Sequence, residues 1–147
     1  MKPLLFLDVD GVLNVYNHPD RVEVRTSYGL SYIPAGTRDR VHSLMDAFDI
    51  VWATAWRGTA HPHHRDVLGL PGQSWPYVDY RDKKLTEILK IARGRPWAFV
   101  DDDAEWELDG LHPAFATLDH TLILAPDWRI GLTDEHVEQL LRFAGAL

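Results

Sequence analysis

The stretch LLFLDVDGVLN, residues 4–14, constrains this chain more than any other. Residues 4–9 have the length and apolar weight of a strand covered on both faces of a parallel sheet. Strand neighbours at i and i+2 point to the same side, so Asp8 and Asp10 bring two like charges close together at its end. Such a pair costs free energy unless a cation lies between the carboxylates. The fold must therefore bury an apolar strand and accommodate positive charge where that strand stops.

Strand and helix signals alternate through the rest of the chain. In residues 15–34 an alternating RVEVR, a YGL turn and SYI predict a short hairpin or flap. Val41, Leu44, Met45 and Phe48 are spaced as one face of a helix over 37–48, and DIVWAT over 49–54 reads as a second buried strand. A helix over 59–68 stops at the breaker LGLPG, and a short strand is expected over 75–78. Leu85, Ile88, Leu89 and Ala92 define the inner face of a helix over 83–92, closed by Gly94. WAFV over 97–100 and TLIL over 121–124 are further strands, and Thr133 caps a C-terminal helix running to residue 143. The alternation predicts the α/β class, a Rossmann-like three-layer sandwich around a mostly parallel sheet. With no repeat, low-complexity tract or linker, residues 1–147 are expected to form a single domain with a flap over 15–34.

Composition narrows the function classes. Fifteen basic against twenty-two acidic residues give a net charge of -7, so no overall basic field draws in nucleic acid or an anionic membrane. The absence of cysteine excludes disulfides and thiolate chemistry and is compatible with the cytoplasm, the expected location. The apolar start is broken by Asp8, too early for a signal-peptide core, and no stretch approaches the roughly 18 apolar residues of a membrane span.

Ligands of open parallel sheets bind beyond the carboxyl ends of the strands. Here the first strand ends in Asp8 and Asp10, the second in Thr54, and the strand from Trp97 in Asp101 and Asp102. If these strands are neighbours, the carboxylates and a hydroxyl share one small volume and stay ionised only around a cation. An all-oxygen donor set selects a hard ion, above all Mg2+. Carboxylates around Mg2+ suit phosphoryl transfer, because the metal offsets the phosphate charge that repels an anionic nucleophile. One aspartate can attack phosphorus, and the other can protonate the leaving oxygen and then activate water. Gly11 lets the backbone approach the phosphate, Thr54 offers it a hydroxyl, and a lysine is expected to screen the nucleophile.

DVDGVLN after an apolar strand, a threonine closing a second strand, a lysine at a helix start and an apolar strand ending in paired aspartates resemble the haloacid dehalogenase superfamily. The resemblance runs from residue 4 to about residue 103, and its first motif is highly specific. It implies that Asp8 is the nucleophile and a metal ligand. Asp10 would be the general acid/base and would give the metal its backbone carbonyl. Thr54, with the amide of Ala55, would bind phosphate. The lysine would be Lys84, with Lys83 the competitor, and Asp102 the direct metal ligand, with Asp101 holding a water of the metal or the lysine. A third aspartate, Asp103, leaves that register open, and Glu105 or Glu107 could stand in for a further acid. Dehalogenases lack the second aspartate, so Asp10 implies a phosphatase, a hydrolase of phosphoric monoesters.

Substrate choice in this superfamily is largely set by cap insertions, and neither gap here has room for a cap domain. DVDGVLN with WATAW also resembles small superfamily domains associated with RNA repair. An open, capless site suits a large substrate, such as a nucleic-acid end or a phosphoprotein, or a nucleotide. A receiver-type signalling module is excluded by order, since its lone acceptor aspartate lies mid-chain, where this chain has Thr54. A phosphotransferase and a catalytically quiet metal-binding domain of the same fold are the alternatives.

Other residues carry weaker signals. Arg57 contacts substrate or lies solvated, and Asn14 is expected to brace the first loop. The histidines of HPHH, residues 61–64, lack a fourth zinc ligand and are expected in solvent. Trp52 and Trp97 are expected in the core and Trp56 in packing, with base stacking its alternative. Tyr28 and Tyr32 touch substrate or pin the hairpin.

Overall fold

Short apolar segments and amphipathic helices alternate in the computed structural model, which describes residues 1–109 and 120–147. In chain order they are β1 (Leu4–Leu7), β2 (Arg21–Thr26), β3 (Gly29–Pro34), α1 (Thr37–Met45), β4 (Asp49–Trp52), α2 (Ala60–Leu68), α3 (Lys84–Ala92), β5 (Trp97–Val100), α4 (Ala104–Leu108), β6 (Thr121–Leu124) and α5 (Asp134–Gly145). Strands β4, β1, β5 and β6 form a parallel sheet in that order, and β2 pairs with β3 in an antiparallel hairpin.

The continuous apolar character of β1 follows from its place between two helical layers. Leu5 and Leu7 pack into one core with residues of α1, α2 and α5, while Leu4 and Phe6 face the other, with residues of α3. This is the period-two alternation of a strand covered on both sides, and truncating Leu5 to alanine would cost about 2–5 kcal/mol. Helix α5 starts as expected at Thr133, whose hydroxyl accepts the His136 N–H while His136 Nδ1 accepts the Thr133 N–H. Among the described residues no helix is long and apolar enough to cross a membrane.

Two expectations need correction. Residues 75–78 make only a bridge between Trp52 and Tyr77 rather than a strand. Pro76 lacks the N–H a ladder requires, although its carbonyl accepts from Trp52 N at 2.8 Å. The first strand also stops at Leu7, so Asp8 to Gly11 belong to the turn beyond it. Helix α4, directly after the triple aspartate, lies where no helix was expected.

Candidate functional site

The sheet register brings the motif residues together. Leu7 lies abreast of both Trp52 and Val100, so the residues after β1, β4 and β5 emerge at one edge. The ladder extends past the strands: Asp8 N donates to Val100 O at 3.1 Å, and Ala53 N donates to Leu7 O at 2.8 Å. Asp8 and Asp101 are thereby buried at the head of adjacent strands. Two ionised carboxylates in that position need compensation.

Lys84, the first residue of α3, supplies it. Its Nζ lies 2.7 Å from Asp101 Oδ2 and 3.3 Å from Asp8 Oδ1. Burial alone would depress this amine, but the two carboxylates more than offset it and hold the lysine protonated. Lys83 turns away instead, donating to the Trp106 carbonyl and lying over the Trp106 ring. The start of α3 is satisfied from outside, because Glu107 accepts Leu85 N–H at 3.0 Å.

Asp8, Asp101 and Asp102 each present a carboxylate oxygen, all within 4.8 Å of one another. Burial and the nearby Asp101 push Asp8 well above the usual carboxylate range, and the same causes raise Asp102 to about 6. One lysine does not neutralise this triad, and a hard divalent cation suits its all-oxygen donor set. The turn is shaped for it as well: Gly11 has φ +80°, and a Cβ there would sit 2.5 Å from Asp102 Cγ. The side chain of Asp10 stands outside the triad, and Asp103 is exposed beside it.

Asp10 is held separately. Its Oδ1 accepts from Asn14 Nδ2 at 2.8 Å and from the Trp56 indole at 3.2 Å. Asn14 braces the loop, as its Oδ1 also accepts Tyr32 N–H from β3 at 2.7 Å. Trp56 stacks on His63, with ring centroids 4.6 Å apart.

That contact belongs to a hydrogen-bonded chain which corrects the solvated reading of HPHH, since His61, His63 and His64 are all buried. The Ala60 carbonyl can only accept, so His64 Nδ1 carries its proton. His64 Nε2 then accepts from Ser31, Ser31 accepts from His63 Nε2, and His63 Nδ1 accepts from the Thr26 hydroxyl. Tyr28 N–H closes the chain on Thr26 Oγ1 at 3.1 Å. Neutral imidazoles therefore clamp the β2–β3 hairpin to α2, an arrangement invisible in the sequence because its partners lie 32 to 37 residues apart.

A cavity of about 610 Å3 opens over the cluster. Asp8, Asp10, Gly11, Ala55, Lys84, Asp101 and Asp102 line it, together with Tyr16, Tyr80, Asp82, Trp106 and Trp128, which the sequence did not single out. Thr54 lies beneath this lining, buried, and its hydroxyl accepts Trp56 N–H at 3.2 Å. Arg57 stands beside the cavity, donating to Asp79 at 2.8 Å and to the Tyr80 carbonyl at 2.7 Å, with its guanidinium over the Tyr80 ring. Trp52 and Trp97 are core residues.

A parallel sheet with aspartates at the heads of its two central strands and a lysine between them defines a small domain of the haloacid dehalogenase (HAD) superfamily, a fold of phosphoryl-transfer and hydrolytic enzymes. Residues 4–137 match the family described as the HAD domain in Swiss Army Knife RNA repair proteins, and the chain belongs to that family. No curated protein matches the sequence.

Proposed function

We propose that this domain is a Mg2+-dependent phosphomonoesterase working through an aspartyl phosphate on Asp8, and that its substrate is a phosphorylated nucleic-acid end. The observation that carries the reading is the meeting of Asp8 with Lys84, Asp101 and Asp102 beneath one open cavity. The family description, RNA repair, favours an RNA end over a phosphoprotein.

Asp8 attacks phosphorus, and the bond from phosphorus to the leaving oxygen breaks. Asp10, oriented by Asn14 and Trp56, gives that oxygen a proton. Asp10 then takes a proton from the water that attacks the aspartyl phosphate, which releases inorganic phosphate and restores Asp8. Lys84 screens the Asp8 carboxylate before attack, and the Ala55 amide, at the cavity lining above the buried Thr54, steadies the phosphate oxygens. Asp8, Asp101 and Asp102, with the Asp10 carbonyl, would hold Mg2+, which supplies the positive charge that lets a phosphate approach these carboxylates.

The test is turnover of p-nitrophenyl phosphate, with and without Mg2+, by the purified chain and by Asp8→Asn. Mg2+-dependent release by the wild type and a loss of roughly 10^3-fold or more in the variant are expected. Equal turnover by the two proteins would overturn the mechanism. A panel of 5′- and 3′-phosphorylated oligonucleotides and phosphopeptides then tests the substrate class.

A further inference from the structure

The mouth of the cavity carries aromatic rings that the phosphoryl chemistry does not use. Tyr16, Trp106 and Trp128 line it and are 65%, 52% and 58% exposed. Large rings grouped in solvent around one opening mark a contact surface rather than core packing.

Trp128 is the more open of the two indoles. It sits on a turn fixed by Asp127, whose carboxylate accepts Arg129 N–H at 2.9 Å, Nε at 3.0 Å and a terminal guanidinium nitrogen at 2.8 Å. The Asp127 carbonyl takes both Ile130 N–H and Gly131 N–H, at 2.9 and 2.8 Å. Leu132 N–H then joins this loop to the Val12 carbonyl at 2.8 Å, beside the Asp8 turn. The indole is thus carried on a hydrogen-bonded turn, with the Arg129 guanidinium 6.0 Å from its ring centroid. Trp106, by contrast, has one face covered by Lys83.

The charges of the cavity point the same way. Among its described lining residues Lys84 is the one cation, and Asp8 and Asp101 already engage it. Asp82 and Asp103, both exposed, make the outer lining acidic, so phosphates beyond the reacting one would be repelled. Binding energy away from the reacting phosphate must come from uncharged surface, and a ring that stacks on a ring provides it whatever the base. The volume, about 610 Å3, suits a nucleotide-sized ligand rather than a long strand.

Building on the phosphomonoesterase reading, we infer that Trp128, with Tyr16 at the same mouth, stacks the base of the terminal unpaired nucleotide whose phosphate meets Asp8. Recognition is then of a single nucleotide end, with little contribution from the rest of the strand.

The test compares adenosine 3′- and 5′-monophosphate with glycerol phosphate, which has no base, on the wild type, Trp128→Ala and Trp128→Phe in Mg2+. The ratio of kcat/KM for nucleotide over glycerol phosphate should fall about tenfold in Trp128→Ala and be largely kept by Trp128→Phe. An unchanged ratio in Trp128→Ala overturns the stacking. Equilibrium binding of the same nucleotides to Asp8→Asn, with and without Trp128→Ala, separates the two proposals. Binding that depends on Trp128, in a protein whose wild type hydrolyses nothing, removes the phosphatase reading and upholds the stacking. Hydrolysis, or binding, that ignores Trp128 does the reverse to the stacking. A phosphorylated single-stranded oligonucleotide should lose less than about tenfold in affinity between about 50 and 200 mM salt, and a loss of about 10^3-fold, as for many phosphate contacts, would also overturn the inference.

Discussion

The indole Nε1 of Trp56 lies 3.2 Å from Asp10 Oδ1, an oxygen that also accepts from Asn14 Nδ2 at 2.8 Å. Two donors on one oxygen fix the carboxylate and direct any proton it carries to Oδ2. Trp56→Phe keeps a ring against His63 and removes the donor. If Asp10 moves protons, kcat should fall about tenfold while KM stays within about twofold. Steady-state kinetics on a generic phosphate check this, and a change confined to KM would assign Trp56 to binding instead.

Lys84 faces two buried carboxylates. Replacing it by methionine leaves Asp8 and Asp101 opposed without compensation, which should destabilise the metal-free protein by about 3–5 kcal/mol. Urea unfolding measures this, and added Mg2+ should return part of the loss. Stability equal to that of the wild type would mean that the lysine is not the counter-charge.

Metal binding should be linked to pH through the same cluster. Burial and Asp101 raise Asp8, and they raise Asp102 to about 6, so both bind protons more readily folded than unfolded. In the metal-free protein their contribution to stability is complete below the ordinary aspartate range; that of Asp102 is lost as pH rises through about 6, and that of Asp8 as pH rises through its own raised pKa. Mg2+ competes with those protons. The rise in Tm on adding Mg2+ should therefore be larger at about pH 7.5 than at about pH 5, and an equal rise at both would argue against a carboxylate metal site.

The histidine clamp predicts acid sensitivity of the opposite sign. Burial lowers His64 to about 4, below the ordinary value of 6.5, so the unfolded chain binds the proton first as pH falls. The stability due to neutral His64 is complete above about 6.5 and declines toward pH 4, by about 3 kcal/mol at most. His64→Leu also loses hydrogen bonds, so the informative readout is the pH slope of the unfolding free energy. That slope should flatten between about pH 6.5 and 4.

Much of this protein is legible along the chain because its signals are local. An apolar run long enough for a strand, the DVDG turn after it, helical spacing at Leu85, Ile88 and Ala92, and a threonine cap at Thr133 each depend on residues a few positions apart. They determined an α/β sheet and the strand ends at which chemistry would lie. Helical offset pointed to Lys84 and left Lys83 a competitor, whereas the start of α3 separates them: Lys83, extended just before the helix, lies on Trp106, and Lys84, its first residue, stands between Asp8 and Asp101. Local pattern could not pair Asp10 with Trp56, 46 residues away, or gather Tyr16, Trp106 and Trp128 around one opening. Those meetings are decided by the parallel register that sets Leu7 abreast of Trp52 and Val100, and by loops packing across the same edge. The chain encodes the pieces through local sterics and hydrophobic pattern, but which pieces meet is settled only when distant strands align.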